Sequence, residues 1–372
     1  TLDLNNFNTT LGQVTGAGSV TLGSGTLTLI ALGGTFSGVI SGSGGLNVGG
    51  GAGATYTLSG TNTYSGGTAV NSNTILSVSS DANLGNVNGG LNLNNGTLAF
   101  GSSFNLASTR AVTIGSSGGT IDVGSNNATI SGAISGAGEL TKRGAGTLTL
   151  SGTNDFAGLT IVGNNIVSYV AVSADNQLGT AGAGVTANTL GFLKATSSFS
   201  SSRSLTLTAG YAGFSVDAGA TLTWDGGVSG NVSPSGGLSV RGAGTLVLTG
   251  TNTYVGDTAI GTGTTVQISS DANLGNASNA LRFYSGTLAV TSDMSTGRSV
   301  ALESGFNGTI AVSSGKTLTY SGVIGGDASS RFVKAGGGTL VLTGANTYAG
   351  GTTVSGGTLV GTTNTLKGDI TN

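Results

Sequence analysis

Short runs of alternating apolar and polar residues recur along the whole chain. Residues 147–151 read Thr-Leu-Thr-Leu-Ser, and the runs at 111–115, 245–249 and 309–313 follow the same two-residue period. Such runs, rich in β-branched residues and ended by Gly, Asn or Ser, are typical of short β-strands. No window of ten or more residues carries the apolar stripe of an amphipathic helix. The pattern predicts a chain of strands and tight turns with essentially no helix.

The chain also repeats itself over a longer period. A Ser/Thr-Gly pair followed by x-Asn-x-aromatic occurs four times, and its successive glycines are 92, 98 and 94 residues apart. These glycines are Gly60, Gly152, Gly250 and Gly344. We therefore predict a single domain, 1–372, built of a partial module 1–59, modules 60–151, 152–249 and 250–343, and a partial module 344–372.

Two all-β architectures fit a module of this length. The strands can wind into coils of roughly 20 to 25 residues with three strands each, stacked so that each coil buries its apolar edge against its neighbours. About 15 to 18 such coils would form a rod on the order of 75 Å long. A row of immunoglobulin-like sandwiches is the alternative, but it predicts linkers and a large buried aromatic residue in each module. We expect the all-β fold to be a right-handed parallel β-helix, a β-solenoid.

Composition narrows the chemistry that the chain can perform. Charged residues make up only 7% of the 372 residues, with 12 Lys and Arg against 14 Asp and Glu, whereas soluble domains carry about 25%. This balance excludes a basic nucleic-acid groove. Cys and His are absent, which removes thiolate nucleophiles, His bases, and the usual zinc and haem ligands. We expect no cofactor, no metal site and no catalytic residue.

The repeated element resembles the passenger-associated transport repeat of Gram-negative autotransporter passenger domains. It reads G-x-G-T-L-x-L-[ST]-G-x-N-x-[YF]-x-G-x-T at 144–160, 242–258 and 336–352, and the first copy departs from it with Ala54-Thr-Tyr in place of Gly-Thr-Leu. The resemblance implies a right-handed β-helix that is exported through an outer-membrane β-barrel. It places the chain outside the cell or at the outer-membrane surface. Since the chain starts at Thr1 without an evident leader, we expect it to be a piece of a longer protein.

Aromatic and Asn residues occupy equivalent places in the four repeats. An exposed row of rings could stack on sugars, or each ring could pack over its turn while the Asn supplies a left-handed conformation or a turn hydrogen bond. The rings are Tyr64, Phe156, Tyr254 and Tyr348, and the amides are Asn62, Asn154, Asn252 and Asn346. The interpretation as a structural turn is favoured.

Acidic and basic residues also recur once in each module. Asp81, Asp175 and Asp271 could be calcium ligands or could form Asx turns, and the turn is favoured because equivalents about four coils apart cannot share an ion. The arginines could contact a receptor, or could be solvated residues that bond the edge of a neighbouring coil. They are Arg110, Arg203 and Arg298.

These observations together predict a non-enzymatic extracellular protein. We expect it to act in adhesion, self-association or a biofilm matrix, with copies associating side to side or end to end into filaments. The alternatives are an adhesin that binds a glycan or a receptor, and a polysaccharide lyase, which would require a groove that gathers several charged residues.

Overall fold

The computed structural model describes residues 1–30, 33–51 and 53–372. Nearly all of its regular structure is parallel β, and the strands wind into a β-solenoid of about 17 turns. The helical segments within the described residues are three single turns of 3-10 helix, η1 (Asp81–Leu84), η2 (Asp175–Gln177) and η3 (Asp271–Leu274). The chain divides into two compact units, one formed by residues 1–172 and 176–185 and the other by residues 173–175 and 186–372.

The strands are two to six residues long, as expected from the short alternating runs. Up to residue 172 they are β1 (Leu2–Asp3), β2 (Thr9–Leu11), β3 (Ser19–Thr21), β4 (Leu27–Ile30), β5 (Gly34–Phe36), β6 (Val39–Ser41), β7 (Leu46–Gly49), β8 (Thr55–Leu58), β9 (Thr68–Asn71), β10 (Ile75–Val78), β11 (Leu91–Asn94), β12 (Gly96–Phe100), β13 (Phe104–Leu106), β14 (Val112–Ile114), β15 (Gly119–Asp122), β16 (Ala128–Ile130), β17 (Ile134–Ser135), β18 (Glu139–Arg143), β19 (Thr147–Leu150), β20 (Gly158–Ile161) and β21 (Ser168–Val172).

The remaining strands continue the same pattern. They are β22 (Val185–Ala187), β23 (Gly191–Ala195), β24 (Phe199–Ser201), β25 (Leu205–Leu207), β26 (Tyr211–Val216), β27 (Thr221–Trp224), β28 (Val228–Ser229), β29 (Gly237–Gly242), β30 (Thr245–Leu248), β31 (Asp257–Ile260), β32 (Thr265–Ile268), β33 (Leu281–Phe283), β34 (Thr287–Val290), β35 (Met294–Thr296), β36 (Val300–Leu302), β37 (Gly308–Val312), β38 (Thr317–Tyr320), β39 (Ile324–Gly325), β40 (Phe332–Ala335), β41 (Thr339–Leu342), β42 (Thr352–Val354), β43 (Thr358–Val360) and β44 (Ile370–Thr371).

In the first unit, most coils contribute one strand to each of three faces, and the coils that carry Tyr64 and Phe156 contribute two strands. The strands β11, β12 and β13 of one coil pair in parallel with β14, β15 and β16 of the next coil. Leu98 pairs with Leu76 and with Ile121, so these coils are 22 and 23 residues long. The three-strand coil predicted from the sequence is confirmed.

The second unit follows the same plan. One face runs in the order β23-β26-β29-β31-β33-β36-β39, a second in the order β24-β27-β30-β32-β34-β37-β40-β42-β44, and a third contains β35-β38-β41-β43. The pairings recorded along these faces are parallel and place inward residues on inward residues, as Leu246 on Leu222 and on Val266. The immunoglobulin-like alternative is therefore wrong, because its strands would be antiparallel.

The apolar residues of the alternating runs form ladders along the interior. Leu222, Leu246, Val266, Leu288 and Ile310 pair in succession, and each is at most 1% exposed. Burial of a side chain of this kind contributes roughly 1.5 to 3 kcal/mol. The core is thus stabilised by many similar contacts between neighbouring coils, and the fold needs no large hydrophobic centre. The module boundaries predicted above stay a prediction.

One corner of the first unit brings successive backbones into close contact. Gly18, Gly38 and Gly60 stack there at intervals of one coil, and a Cβ on Gly38 or Gly60 would overlap the carbonyl oxygen of the glycine before it. Only glycine fits a position where one backbone lies directly on another. This glycine column explains why the repeat begins at a glycine.

Replacement of Leu98 by Ala tests the ladder. Leu98 is fully buried between Leu76 and Ile121, so Leu98→Ala should lower the free energy of unfolding by about 2 to 5 kcal/mol. Urea denaturation followed by circular dichroism measures the change. Thr97→Ala on the outward side of the same strand should change stability by less than about 0.5 kcal/mol. Equal losses in both variants would contradict the inward and outward assignment.

Candidate functional site

The four repeated Asn side chains are buried and each connects three successive coils. In the first copy, Asn62 Oδ1 accepts from the backbone N–H of Ile40 at 2.8 Å, and Nδ2 donates to the carbonyl oxygen of Asn83 at 2.6 Å. The other copies repeat both bonds: Asn154 with Ile134 and Gln177, Asn252 with Val228 and Asn273, and Asn346 with Ile324 and Thr365. None of the four has a positive φ. Their role is a bridge between coils, and the left-handed conformation expected as one option is wrong.

The four repeated rings point inward. Tyr64, Phe156, Tyr254 and Tyr348 are at most 1% exposed, so the exposed row that could stack on sugars is not formed. Each tyrosine hydroxyl bonds a buried threonine four residues on, at 2.7 Å for Tyr64 and Thr68 and 2.5 Å for Tyr254 and Thr258. Burial raises the pKa of Tyr64 to about 12.

The second copy shows why this pairing matters. Phe156 has no hydroxyl, and the inward position that threonine holds in the other copies is here taken by Leu159. Thr160 turns outward and bonds Glu139 instead. A buried hydroxyl thus comes with a polar partner and a phenyl ring with an apolar one, as expected when an unpaired buried hydroxyl is costly.

The repeated Asp residues begin the 3-10 turns and bind the repeated Arg residues. Arg110 donates from Nε to Asp81 Oδ1 at 2.8 Å and from Nη2 to Oδ2 at 3.1 Å. Arg298 binds Asp271 in the same two-pronged way at 2.8 and 2.9 Å, and Arg203 Nε lies 2.9 Å from Asp175 Oδ1. The Asx turn expected at these Asp residues is therefore replaced by an ion pair with an arginine 27 to 29 residues later.

The arginines are buried and also satisfy the ends of the turns. Arg110 and Arg298 are at most 2% exposed, which corrects the expectation of solvated residues. Arg298 donates further to the carbonyl oxygens of Gly275 and Asn276 at 3.0 and 2.6 Å, and Arg110 reaches Leu84, Gly85 and Gly89 in the same manner. Each guanidinium closes one corner of the solenoid.

No cluster of three or more acidic residues that could hold a metal ion occurs in residues 1–30, 33–51 and 53–372. The carboxylates of Asp81 and Asp271 each bind a guanidinium with both oxygens. The interpretation of the Asp residues as calcium ligands has no support in this geometry.

Two lysines lie inside the solenoid, which sequence reasoning missed. Lys142 and Lys334 are fully buried. Lys142 Nζ donates to the carbonyl oxygens of Gly144 and Gly146 and to Ser168 Oγ. Burial lowers the pKa of Lys142 to about 7 and also lowers the pKa of Lys334. A signal was present, since each lysine stands at a strand position where the third repeat has Val240.

A groove lies on the outer face of the second unit. Its volume is roughly 480 Å³, and it lies between Tyr211, Arg241, Tyr284 and Phe306. The rings of Tyr284 and Phe306 meet edge to face, with centroids 5.6 Å apart. We call this feature the aromatic groove. Sequence reasoning missed it because its residues come from four different coils.

An ion-pair network borders the aromatic groove. Arg282 donates to Asp257 Oδ2 at 2.6 Å and to Glu303 Oε1 at 2.9 Å, and these two hydrogen bonds raise its pKa. The hydroxyl of Tyr211 lies 3.5 Å from the same Asp257 oxygen. Burial raises the pKa of both Tyr211 and Tyr284.

Comparison with known proteins places the repeats in a family. Residues 53–72, 140–164, 238–268 and 332–360 match the passenger-associated transport repeat. Together with the β-solenoid, these matches support an autotransporter passenger domain. Passenger domains of this class lie outside the cell or at the outer-membrane surface of Gram-negative bacteria, which gives the location of this chain.

One relative extends the similarity beyond the repeats. Over 271 residues, 65% of the chain, the sequence is 36% identical to the adhesin BmaC autotransporter of Brucella suis biovar 1 (strain 1330). The aligned part covers 8% of that protein, so the chain corresponds to a small part of its length. No solved structure matches the chain significantly. Within the described residues, no helix is both long enough and apolar enough to span a bilayer.

Removal of a buried guanidinium tests its structural role. Arg298→Met leaves the Asp271 carboxylate and several turn carbonyls without their donor, so the free energy of unfolding should fall by roughly 3 to 5 kcal/mol. Urea denaturation measures it. Arg331→Met, at an exposed position of the same unit, is the matched control and should stay within about 0.5 kcal/mol of the parent. A mild loss for Arg298→Met would show that the corner does not depend on the guanidinium.

The buried lysine predicts a pH dependence. The pKa of Lys142 is about 7 in the folded chain and about 10.4 when unfolded, so between these values the unfolded chain binds one more proton. Stability should therefore rise with pH, by about 2 kcal/mol between pH 7 and 9. Lys142→Met should lack this part of the rise, whereas Lys316→Met, at a lysine whose side chain is 42% exposed, should keep it. Parallel pH profiles for the parent and Lys142→Met would contradict the buried, desolvated amine.

Proposed function

We propose that the chain is an adhesive, non-enzymatic stretch of a surface passenger domain and that it adheres by associating with further copies of itself. The similarity to an adhesin supports the adhesive part of this proposal. The self-association rests on one face of the second unit, described next.

Five consecutive strands of the second unit present an outer surface without a charged side chain. The strands β27, β30, β32, β34 and β37 each turn two side chains outward between buried neighbours. We call this surface the threonine face; its residues are Thr221, Thr223, Thr245, Val247, Thr265, Gln267, Thr287, Ala289, Thr309 and Ala311. The observation that carries the proposal is this uncharged, regularly paired face.

The threonine face is suited to pack against the threonine face of a second copy of the chain. Without charges, two copies meet without like-charge repulsion. The threonine in the first outward position of each strand pairs in register with that of the next, from Thr221 to Thr309. Their β-branched side chains hold few rotamers and therefore lose little entropy when a partner orders them. Lateral packing of copies from neighbouring cells would produce cell-to-cell adhesion and a biofilm matrix.

The charged network supports a role without catalysis. The carboxylates of Asp257 and Glu303 both accept from Arg282, so neither is held as a free acid or base as glycoside cleavage requires. The aromatic groove beside them favours a second candidate function, an adhesin that binds a glycan.

Charges placed on the threonine face test self-association. The double variant Thr245→Lys and Thr287→Lys should weaken association of the purified chain at least about tenfold, because two added like charges would face their copies across the contact. Sedimentation velocity over a range of concentrations measures it. The matched control, Thr251→Lys with Thr253→Lys, adds the same charge at exposed positions outside the face and should associate as the parent does. A parent chain that stays monomeric at every concentration would refute the proposal.

A further inference from the structure

The floor of the aromatic groove is made of small residues on neighbouring strands. Ser239 of β29 pairs with Ala259 of β31, and both line the groove together with Gly242 and Gly261. Gly242 has a φ of +94°, and a Cβ there would overlap the carbonyl oxygen of Val216. The backbone thus excludes a side chain at this point of the lining.

The walls of the groove present partly exposed rings. Phe306 is 38% exposed, and it meets Tyr284 edge to face. Tyr211, half-buried, stands on β26 at the other side of the floor. Aromatic rings with one apolar face open and a polar hydroxyl at the tip suit a flat ligand that has C–H groups on one face and hydroxyls at its rim. A sugar ring has this chemistry, and a volume of roughly 480 Å³ lies within the range of small-ligand sites.

The charge available in the groove is positive. Arg241 lines it, with its guanidinium 4.5 Å above the buried ring of Phe192 and its Nε 3.4 Å from Ser239 Oγ. In the part of the chain that the structure describes, Arg241 forms no ion pair, whereas Asp257 and Glu303 are both engaged by Arg282. A guanidinium fixed on a ring and half removed from water is suited to bind a carboxylate with two parallel hydrogen bonds.

We propose that the aromatic groove binds a carboxylated sugar, with the sugar ring on Tyr284 and Phe306 and its carboxylate on Arg241. This inference rests on the proposed adhesive function only in that adhesion explains why the chain would bind a sugar. The aromatic groove is a different surface from the threonine face. Uronic acids and sialic acids share the required chemistry.

Ligand-observed NMR titration of the whole chain tests the site. The probes are trigalacturonate and sialyllactose, which separate the two sources of carboxylate, each compared with its carboxyl-reduced or desialylated form. At least one acidic probe should bind, and its neutral counterpart should bind about tenfold more weakly or worse. Arg241→Gln and Phe306→Ala should each weaken binding about tenfold, the loss expected for one charge-assisted contact or one stacked ring.

Matched variants keep the result interpretable. Arg331→Gln and Phe7→Ala remove an exposed arginine and an exposed ring elsewhere, and should bind within about twofold of the parent. An unchanged thermal midpoint shows that each variant is folded. The proposal is wrong if neither acidic probe binds, if the neutral forms bind as tightly as the acidic ones, or if Arg241→Gln binds as tightly as the parent. Sedimentation velocity of the same samples measures self-association separately. Sugar binding in the aromatic groove and self-association through the threonine face can therefore fail independently.

Discussion

The structure depends on satisfying the backbone polar groups where a narrow coil changes direction. Strand ladders pair the N–H and C=O groups along the faces, but the corners lie outside the ladders and an unpaired buried group costs about 1 to 3 kcal/mol. The four Asn bridges meet this requirement by accepting from one coil and donating to another. The inward ladders can be thin and uniform because the corners are held by side chains of fixed geometry.

The need to pair backbone carbonyl groups at the corners also explains why several of the few Arg and Lys side chains are buried. Arg110, Arg298, Lys142 and Lys334 are buried, and they donate to carbonyl oxygens at turns. A cation with several donors can close a corner where a single amide cannot. With these cations inside, long stretches of the outer faces carry no charge, and the threonine face and the aromatic groove become the distinctive surfaces of the second unit.

The fold was predictable because its signals repeat. The two-residue period gave the strands, and the recurrence near 95 residues gave the stacked coils. The same regularity favoured a structural role for Tyr64 and its equivalents, packed over the turn, but it did not predict that the rings point inward. The pairing of Asp81 with Arg110 was not foreseen, although the nearly constant separation of 27 to 29 residues in three copies was a usable signal. The aromatic groove was beyond reach, since it depends on the strand register that brings Tyr211, Arg241 and Tyr284 together from separate coils.

The glycine column has a consequence for how such a gene can change. Gly18, Gly38 and Gly60 meet because each lies one full coil after the last. A residue inserted within a strand would turn the apolar side of that strand outward. Loss or gain of a complete coil keeps every glycine above another. Unequal recombination between the repeats changes the length by 92 to 98 residues, and so by whole coils, which makes it a tolerated route to relatives of different length.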